Sequence, residues 1–163
     1  MTMDPTSSNT DDGLLDSLLE AAHRHRLNGK PDRALTLLHQ AISLGGEDRA
    51  YARATTADLL FSIGEVEGAR EQLHFLRTET PVWSAPCQLV AEMAGDRGEL
   101  PEALSWYDLA LANLPEEDMA EMDGPNAGYC FANSLLNARN RVRRAMDRPL
   151  DDWDNMTIDF KDR

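Results

Sequence analysis

Three glycines at a nearly constant interval constrain the fold of this chain more than any other feature. Gly29, Gly64 and Gly98 are 35 and 34 residues apart. A fixed period of this length predicts stacked helical hairpins, because a single helix pair cannot bury its apolar face alone. Small or apolar residues recur in step, seven positions before each glycine and five, nine and twelve after it: Ala22, Ala34, Leu38 and Ala41; Ala57, Ala69, Leu73 and Leu76; Ala91, Ala103, Tyr107 and Ala110.

Each of these glycines marks a predicted bend between two helices. Glycine adopts the left-handed backbone conformation without steric cost and therefore ends helices. Pro31 and Pro101 follow two of the glycines closely, at a position where a helix begins and a missing N–H costs nothing. The sequence thus predicts three hairpins, with repeats at about residues 14–46, 49–81 and 83–115.

With these spacings the chain resembles the tetratricopeptide repeat (TPR) family, whose unit is a 34-residue helix-turn-helix. The resemblance implies an all-α fold, namely a right-handed α-solenoid whose concave groove binds peptides or protein segments. The family's aromatic residue early in the first helix is replaced here by Leu18, Arg53 and Cys87. The repeats are therefore divergent, and the subfamily is unknown.

The segments that flank the repeats differ from them in composition. Residues 1–10 lack apolar periodicity and are predicted to be disordered, with the repeat domain spanning residues 11–147. Asp11 and Asp12 are suited to cap the first helix. Residues 116–125 begin with five acids in eight residues, which favours a solvated loop.

A long helix at residues 126–147 is predicted to cap the end of the solenoid, where no further repeat covers it. Its predicted apolar stripe runs along Phe131, Leu135, Ala138, Val142 and Met146, with Arg139, Asn140, Arg143 and Arg144 off the stripe.

The tail at residues 148–163 alternates apolar and polar residues at Met156, Ile158 and Phe160, which is typical of extended chain. It is predicted to pack on its own solenoid, and the alternative is docking into a neighbouring molecule.

Composition excludes several classes of protein. The net charge is −13 and the pI is about 4.6, which argues against nucleic-acid binding, since phosphate contacts need a clustered positive surface. No apolar run predicts a membrane span or a secretory signal, so we expect a cytoplasmic protein without a membrane partner. Cys87 and Cys130 lack paired spacing and are expected to be reduced packing residues.

Partner-binding residues follow from the resemblance, which implies that the first helix of each hairpin and the capping helix line the groove. An inner surface with both acids and a base suggests a partner of mixed or moderately basic charge. The residues at the matching positions are Leu19, His23, Arg26, Tyr51, Asp58, Phe61, Gln88, Glu92, Tyr129, Asn133, Asn137 and Arg141.

The last four of these residues, Tyr129, Asn133, Asn137 and Arg141, are predicted to form one row along the capping helix. An Asn side chain offers a donor and an acceptor, which suits the backbone of an extended peptide, and Arg141 or Arg144 could hold a carboxylate. The alternative is that Asn133 and Asn137 bond loop carbonyls of their own chain.

Five of the sixteen basic residues lie within ten positions of the C-terminal region: Arg139, Arg141, Arg143, Arg144 and Arg148. We expect ion pairs with the acids at residues 116–123 and 151–154. An acidic partner surface and nucleic acid are the other interpretations.

Catalytic and metal-binding motifs are not found in the sequence. His23 and His25 are two apart on a helix and point away from each other, which is incompatible with a shared metal site. We therefore expect a non-catalytic interaction module without cofactor or metal. The alternatives are a self-associating scaffold, with a homodimer through the tail or end helices, and a regulatory sensor of a small peptide or metabolite.

Overall fold

The computed structural model describes residues 13–158, and these residues form helices without any strand. This confirms the predicted all-α class. Within the described range there are eight α-helices: α1 (Leu14–Leu27), α2 (Pro31–Ile42), α3 (Gly46–Ser62), α4 (Val66–Thr78), α5 (Ser84–Asp96), α6 (Leu100–Ala112), α7 (Glu116–Ala120) and α8 (Phe131–Ala145). Short 3₁₀ helices lie at Glu121–Asp123, Ala127–Tyr129 and Asp154–Met156.

The first six helices form three pairs, and the predicted glycine lies in the turn of each pair. The φ angles of Gly29, Gly64 and Gly98 are +68°, +81° and +78°. In all three turns the N–H of the residue after the glycine donates to the carbonyl of the residue five positions earlier, at 2.8, 2.9 and 3.0 Å. This bond satisfies a carbonyl at the end of the first helix and needs the left-handed glycine. The predicted bends are therefore confirmed.

Small residues hold the two helices of each pair together. The alanines seven positions before each glycine and five positions after it are at most 2% exposed. A larger side chain at these positions would separate the helices, because interiors are packed to near crystal density. The periodic alanines of the sequence are thus explained by close helix contact.

Contacts divide the chain into two compact units at Thr80 and Pro81. In the first unit α1 packs on α2, α2 on α3, and α3 on α4. Its core joins Leu38 of α2 to Leu59 of α3, each 1% exposed. The helix α3 begins at Gly46, three residues earlier than the predicted repeat boundary.

In the second unit α5 packs on α6, and α6 packs on α8. Trp106 of α6 is fully buried, as is Leu135 of α8. Ser84 begins α5 and donates to the carbonyl of Ala110 at 2.8 Å, which joins the two ends of this pair.

The loop predicted at residues 116–125 is partly helical, because it contains α7 and the 3₁₀ helix that follows. Glu116, Glu117 and Asp118 fall in the first turn of α7, where carboxylates interact favourably with the helix dipole. The acids that suggested a loop are therefore also compatible with a helix start.

The capping helix begins five residues later than predicted, at Phe131 instead of residue 126. Residues Ala127–Tyr129 form a tighter 3₁₀ turn, and Cys130 is extended, with φ −76° and ψ 159°. The residues of the predicted apolar stripe are buried or half-buried. Arg139 and Asn140, which lie off the stripe, are also buried, at 6% and 9% exposure. Arg139 forms ion pairs with three carboxylates.

The tail is extended only in places, because Asp154–Met156 form a 3₁₀ turn. Phe160 and the predicted caps Asp11 and Asp12 lie outside the described residues, as do residues 1–10. Both cysteines are buried, as expected of packing residues. None of the helices in the described range is long and apolar enough to cross a membrane.

Candidate functional site

Asn133 and Asn137 lie one turn apart on α8, as the sequence predicted. Asn133 has no exposed surface, and Asn137 is half-buried. The Nδ2 group of Asn133 donates to the carbonyl of Gly128 at 3.0 Å, and Asn137 Nδ2 donates to Asn133 Oδ1 at 3.1 Å. These bonds fix the orientation of both amides.

The two amides bind the backbone of Ile158 in the tail. Asn133 Oδ1 accepts from the Ile158 N–H at 2.9 Å, and its Nδ2 donates to the Ile158 carbonyl at 3.2 Å. Asn137 Nδ2 donates to the same carbonyl at 3.3 Å. Asn133 therefore contacts both polar groups of the backbone of one tail residue. Neither hydrogen bond involves the side chain of that residue.

Both interpretations of the asparagines thus have a counterpart in the structure. The bond to Gly128 is the predicted loop contact, and the bonds to Ile158 are contacts to an extended segment. That segment belongs to the chain itself.

Tyr129 does not belong to this row, which corrects the sequence-based prediction. It lies in the 3₁₀ turn before α8 and is 70% exposed. The helix cannot extend back to Tyr129, because Cys130 is extended and the Gly128 carbonyl bonds to the Asn133 side chain instead of a helical N–H. Asn133, Asn137 and Arg141 remain as a row at four-residue steps.

The exposed Arg141 interacts electrostatically with Tyr107 of α6, as does Glu92 of α5. Burial, together with the charges of Glu92 and Asp96, raises the pKa of Tyr107 to about 12, while the charge of Arg141 opposes this increase. Gln88, which is 8% exposed, donates to Glu92 at 3.1 Å. The cationic Arg141 and the anionic Glu92 therefore both lie within electrostatic reach of the buried phenol of Tyr107.

Arg139 on α8 lies off the predicted apolar stripe and is the centre of an ion-pair network. Its Nε donates to Asp108 of α6 at 2.8 Å, Nη2 to Asp151 at 2.7 Å and Nη1 to Asp154 at 3.4 Å. Burial lowers the pKa of the guanidinium, but hydrogen bonds to Asp151 and Asp108 outweigh it and raise the pKa overall. The expected pairing with the acids of residues 151–154 is thus confirmed.

The same network holds the first part of the tail, residues 151–156, which we call the clasp. The side chain of Asp154 is 1% exposed and also accepts from Arg143 Nε at 2.9 Å. Asp151 and Asp154 each accept from the other's backbone N–H, at 2.9 and 3.0 Å. The hydrogen bond from Arg139 holds the pKa of Asp151 well below its usual range, although burial opposes this.

In the first unit, two of the predicted residues, His23 and Arg26, line a small cleft. Arg26 pairs with Asp58 at 2.7 Å, so the charge expected to face a partner is partly neutralised within the chain. His23 and Arg26 line a cleft of about 30 Å³, together with Leu38 and Leu59. This volume is enough for about one or two water molecules and no larger ligand.

The other predicted residues of the first unit contribute to packing. Leu19 and Tyr51 are half-buried against the apolar core of the first unit. Burial raises the pKa of Tyr51, and the neighbouring Glu47 adds to this. Phe61 is also half-buried.

Across residues 13–158, no three His, Cys, Asp or Glu side chains form a group that could hold a metal ion. Comparisons with protein-family models, with curated proteins and with solved structures found no match for this chain.

Proposed function

We propose that this protein is a non-catalytic interaction module, built as a TPR-like solenoid, which binds an extended peptide or protein segment. The binding residues are Asn133, Asn137 and Arg141 on α8, with Glu92 and Gln88 on α5 as neighbouring polar contacts. The first unit, taken by itself, carries Arg26 and Asp58 as a mixed-charge pair.

The observation that carries this proposal is the contact between Asn133 and both backbone groups of Ile158, at 2.9 and 3.2 Å. The backbone of one residue offers an N–H donor and a carbonyl acceptor, and a fixed asparagine amide can pair with both. Because Asn133 is oriented by Gly128, little side-chain entropy is lost when a segment binds. An extended segment of another protein would meet the same preformed geometry.

The solenoid arrangement is supported by the equivalent turns and the buried alanines of the three helix pairs. A cytoplasmic location is part of this proposal.

A second candidate function is self-association through the tail. It is favoured by three large apolar side chains, Leu150, Trp153 and Met156, which are 59%, 39% and 41% exposed. Aromatic residues and Met are enriched at protein interfaces. Light scattering on the wild type and on Trp153→Ser would detect a dimer, and a monomer in both cases would exclude this function.

The peptide-binding proposal can be tested with a display library of random peptides selected against the full chain. Selected peptides are then synthesised, and their binding is measured by fluorescence anisotropy. We expect Asn137→Ala and Arg141→Ala each to weaken binding about tenfold, which corresponds to about 1.4 kcal/mol. Ser134→Ala, an exposed residue on the same helix, is the matched control and is expected to bind as the wild type does.

Failure to select any peptide, or equal loss with Ser134→Ala, would contradict the proposal. Asn133→Ala is a less suitable variant, since the buried Gly128 carbonyl would lose its donor and the fold would be destabilised.

A further inference from the structure

The described part of the tail is held by two different kinds of contact, which divide it near Met156. The clasp is anchored by charged, buried groups, because Asp154 is 1% exposed and bonds both Arg139 and Arg143. Charged hydrogen bonds of this kind are about twice as strong as neutral ones. The clasp is therefore expected to stay in place whenever α8 is folded.

The two residues after the clasp are held by neutral hydrogen bonds alone among the contacts described above. Thr157 Oγ1 donates to the carbonyl of Asp154 at 2.9 Å, and Ile158 bonds to Asn133 and Asn137. Thr157 and Ile158 are both half-buried. Each neutral bond contributes little on balance, since water can replace it.

We propose that the segment Thr157–Ile158 is an internal ligand that competes with partner segments for Asn133 and Asn137. This inference rests on the function proposed above and adds its regulation. The clasp keeps the internal ligand at high local concentration beside the site, as a short tether does. A partner segment therefore binds only the fraction of molecules in which Ile158 has left the asparagines.

The geometry also defines what a competitor must offer. Asn133 contacts the N–H and the carbonyl of one residue and no atom of its side chain in these bonds, so the competitor is an extended segment with a free N–H at that residue. Proline at this position would lack the donor and would be excluded.

A substitution in the full chain tests the competition without removing any residue. Ile158→Pro removes the N–H that Asn133 accepts. It is sterically compatible with Thr157, whose φ of −64° and ψ of 140° are those favoured before proline. Ile158→Ala is the matched control, because it keeps both backbone groups.

The probe is a fluorescein-labelled synthetic peptide with the sequence of residues 155–163 of this chain. We expect the Ile158→Pro protein to bind the probe on the order of tenfold more tightly than the wild type does. Ile158→Ala is expected to bind much closer to the wild type. Hydrogen exchange provides a second readout, since the Ile158 amide of the wild type should exchange faster when the probe is present at saturation.

Equal affinity of the wild type and Ile158→Pro for the probe would overturn the internal competition. If peptides from the display library bind these two proteins equally, the proposed function stands and only the competition fails. If neither the probe nor any library peptide binds either protein, the proposed function fails, and the competition fails with it.

Discussion

Arg139 and Asp154 form an ion pair in which both side chains are almost fully buried, at 7% and 1% exposure. The two residues are fifteen positions apart, and their contact joins α8 to the clasp. Asp154 also contacts Arg143, while Arg139 also contacts Asp108 and Asp151. The end of the second unit is therefore stabilised by a polar cluster in a place where the sequence predicted an exposed face.

Replacing Arg139 should destabilise the protein strongly. Arg139→Met would leave the buried Asp154 with only one of its two cationic partners, and loss of one partner of a buried pair costs about 3–5 kcal/mol. We expect a value near the lower end, because Arg143 remains. Urea denaturation followed by circular dichroism would measure it.

The matched control for this prediction is Arg141→Met, which makes the same chemical change at an exposed position of the same helix. Its effect on the free energy of unfolding is expected to stay within about 0.5 kcal/mol. Similar losses in the two variants would show that the network around Arg139 does not stabilise the fold.

The pH dependence of stability should report on Asp151. The folded-state pKa of Asp151 is lowered, mainly by the hydrogen bond from Arg139, while the unfolded value is about 3.9. A lowered folded pKa means that the contribution to stability is complete above the unfolded pKa and is lost as the pH falls below it. The difference in unfolding free energy between wild type and Asp151→Asn should thus be largest at pH 7 and shrink below about pH 4.

Asp152→Asn serves as the control for this titration, since Asp152 is the exposed neighbour. The difference in unfolding free energy between Asp152→Asn and the wild type should remain small at pH 7 and also below about pH 4. A gap between wild type and Asp151→Asn that widened in acid would reverse the predicted sign.

Gly95 and Gly98 are three residues apart, and the end of α5 at Asp96 lies between them, so the two glycines allow a test of the turn. Gly98 has φ +78°, and Gly98→Ala should cost about 1–2 kcal/mol, because a Cβ atom is disfavoured in the left-handed region. Gly95 lies within α5, and a Cβ atom there would meet no atom within 4 Å. Gly95→Ala should therefore stabilise the protein by about 0.5–1 kcal/mol.

Thermal or urea unfolding of these two variants gives changes of opposite sign if the turn is correctly described. Destabilisation by both substitutions to the same extent would be inconsistent with the left-handed conformation of Gly98.

The small residues of the repeat can be tested by overpacking. Ala103 is completely buried between α5 and α6, and Ala103→Leu should cost about 1–3 kcal/mol. Ala112 ends the same helix at an exposed position, so Ala112→Leu should change stability by no more than about 0.5 kcal/mol. Equal melting temperatures for the two variants would contradict the register of the hairpin.

The sequence predicted the three helix pairs because the signals for them are local. Gly98 needs a left-handed conformation whatever surrounds it, and Ala103 must be small because its own hairpin partner lies a few residues away. Such requirements repeat at each hairpin and are visible as a period. The helices of the repeats were therefore predictable within a few residues.

The start of α8 and the burial of Arg139 were not predictable in this way. Asn133 bonds the Gly128 carbonyl through its side chain, and Arg139 meets Asp108, which is 31 residues earlier in the chain. No spacing rule links Arg139 to Asp108, because these two residues meet only after α6 and α8 have packed. The sequence placed Asn133 and Asn137 one turn apart on one helix, but the segment whose backbone they bond could not be identified from the sequence.

The central claim, that the asparagines of α8 bind extended backbone, is tested most directly by NMR of the uniformly ¹⁵N-labelled full chain. The side-chain amide resonances of Asn133 and Asn137 are followed while a library-selected peptide is added. We expect both resonances to shift with saturation at the affinity measured by anisotropy, together with the backbone amide of Ile158. Binding of the peptide without a shift of either side-chain amide would contradict the claim.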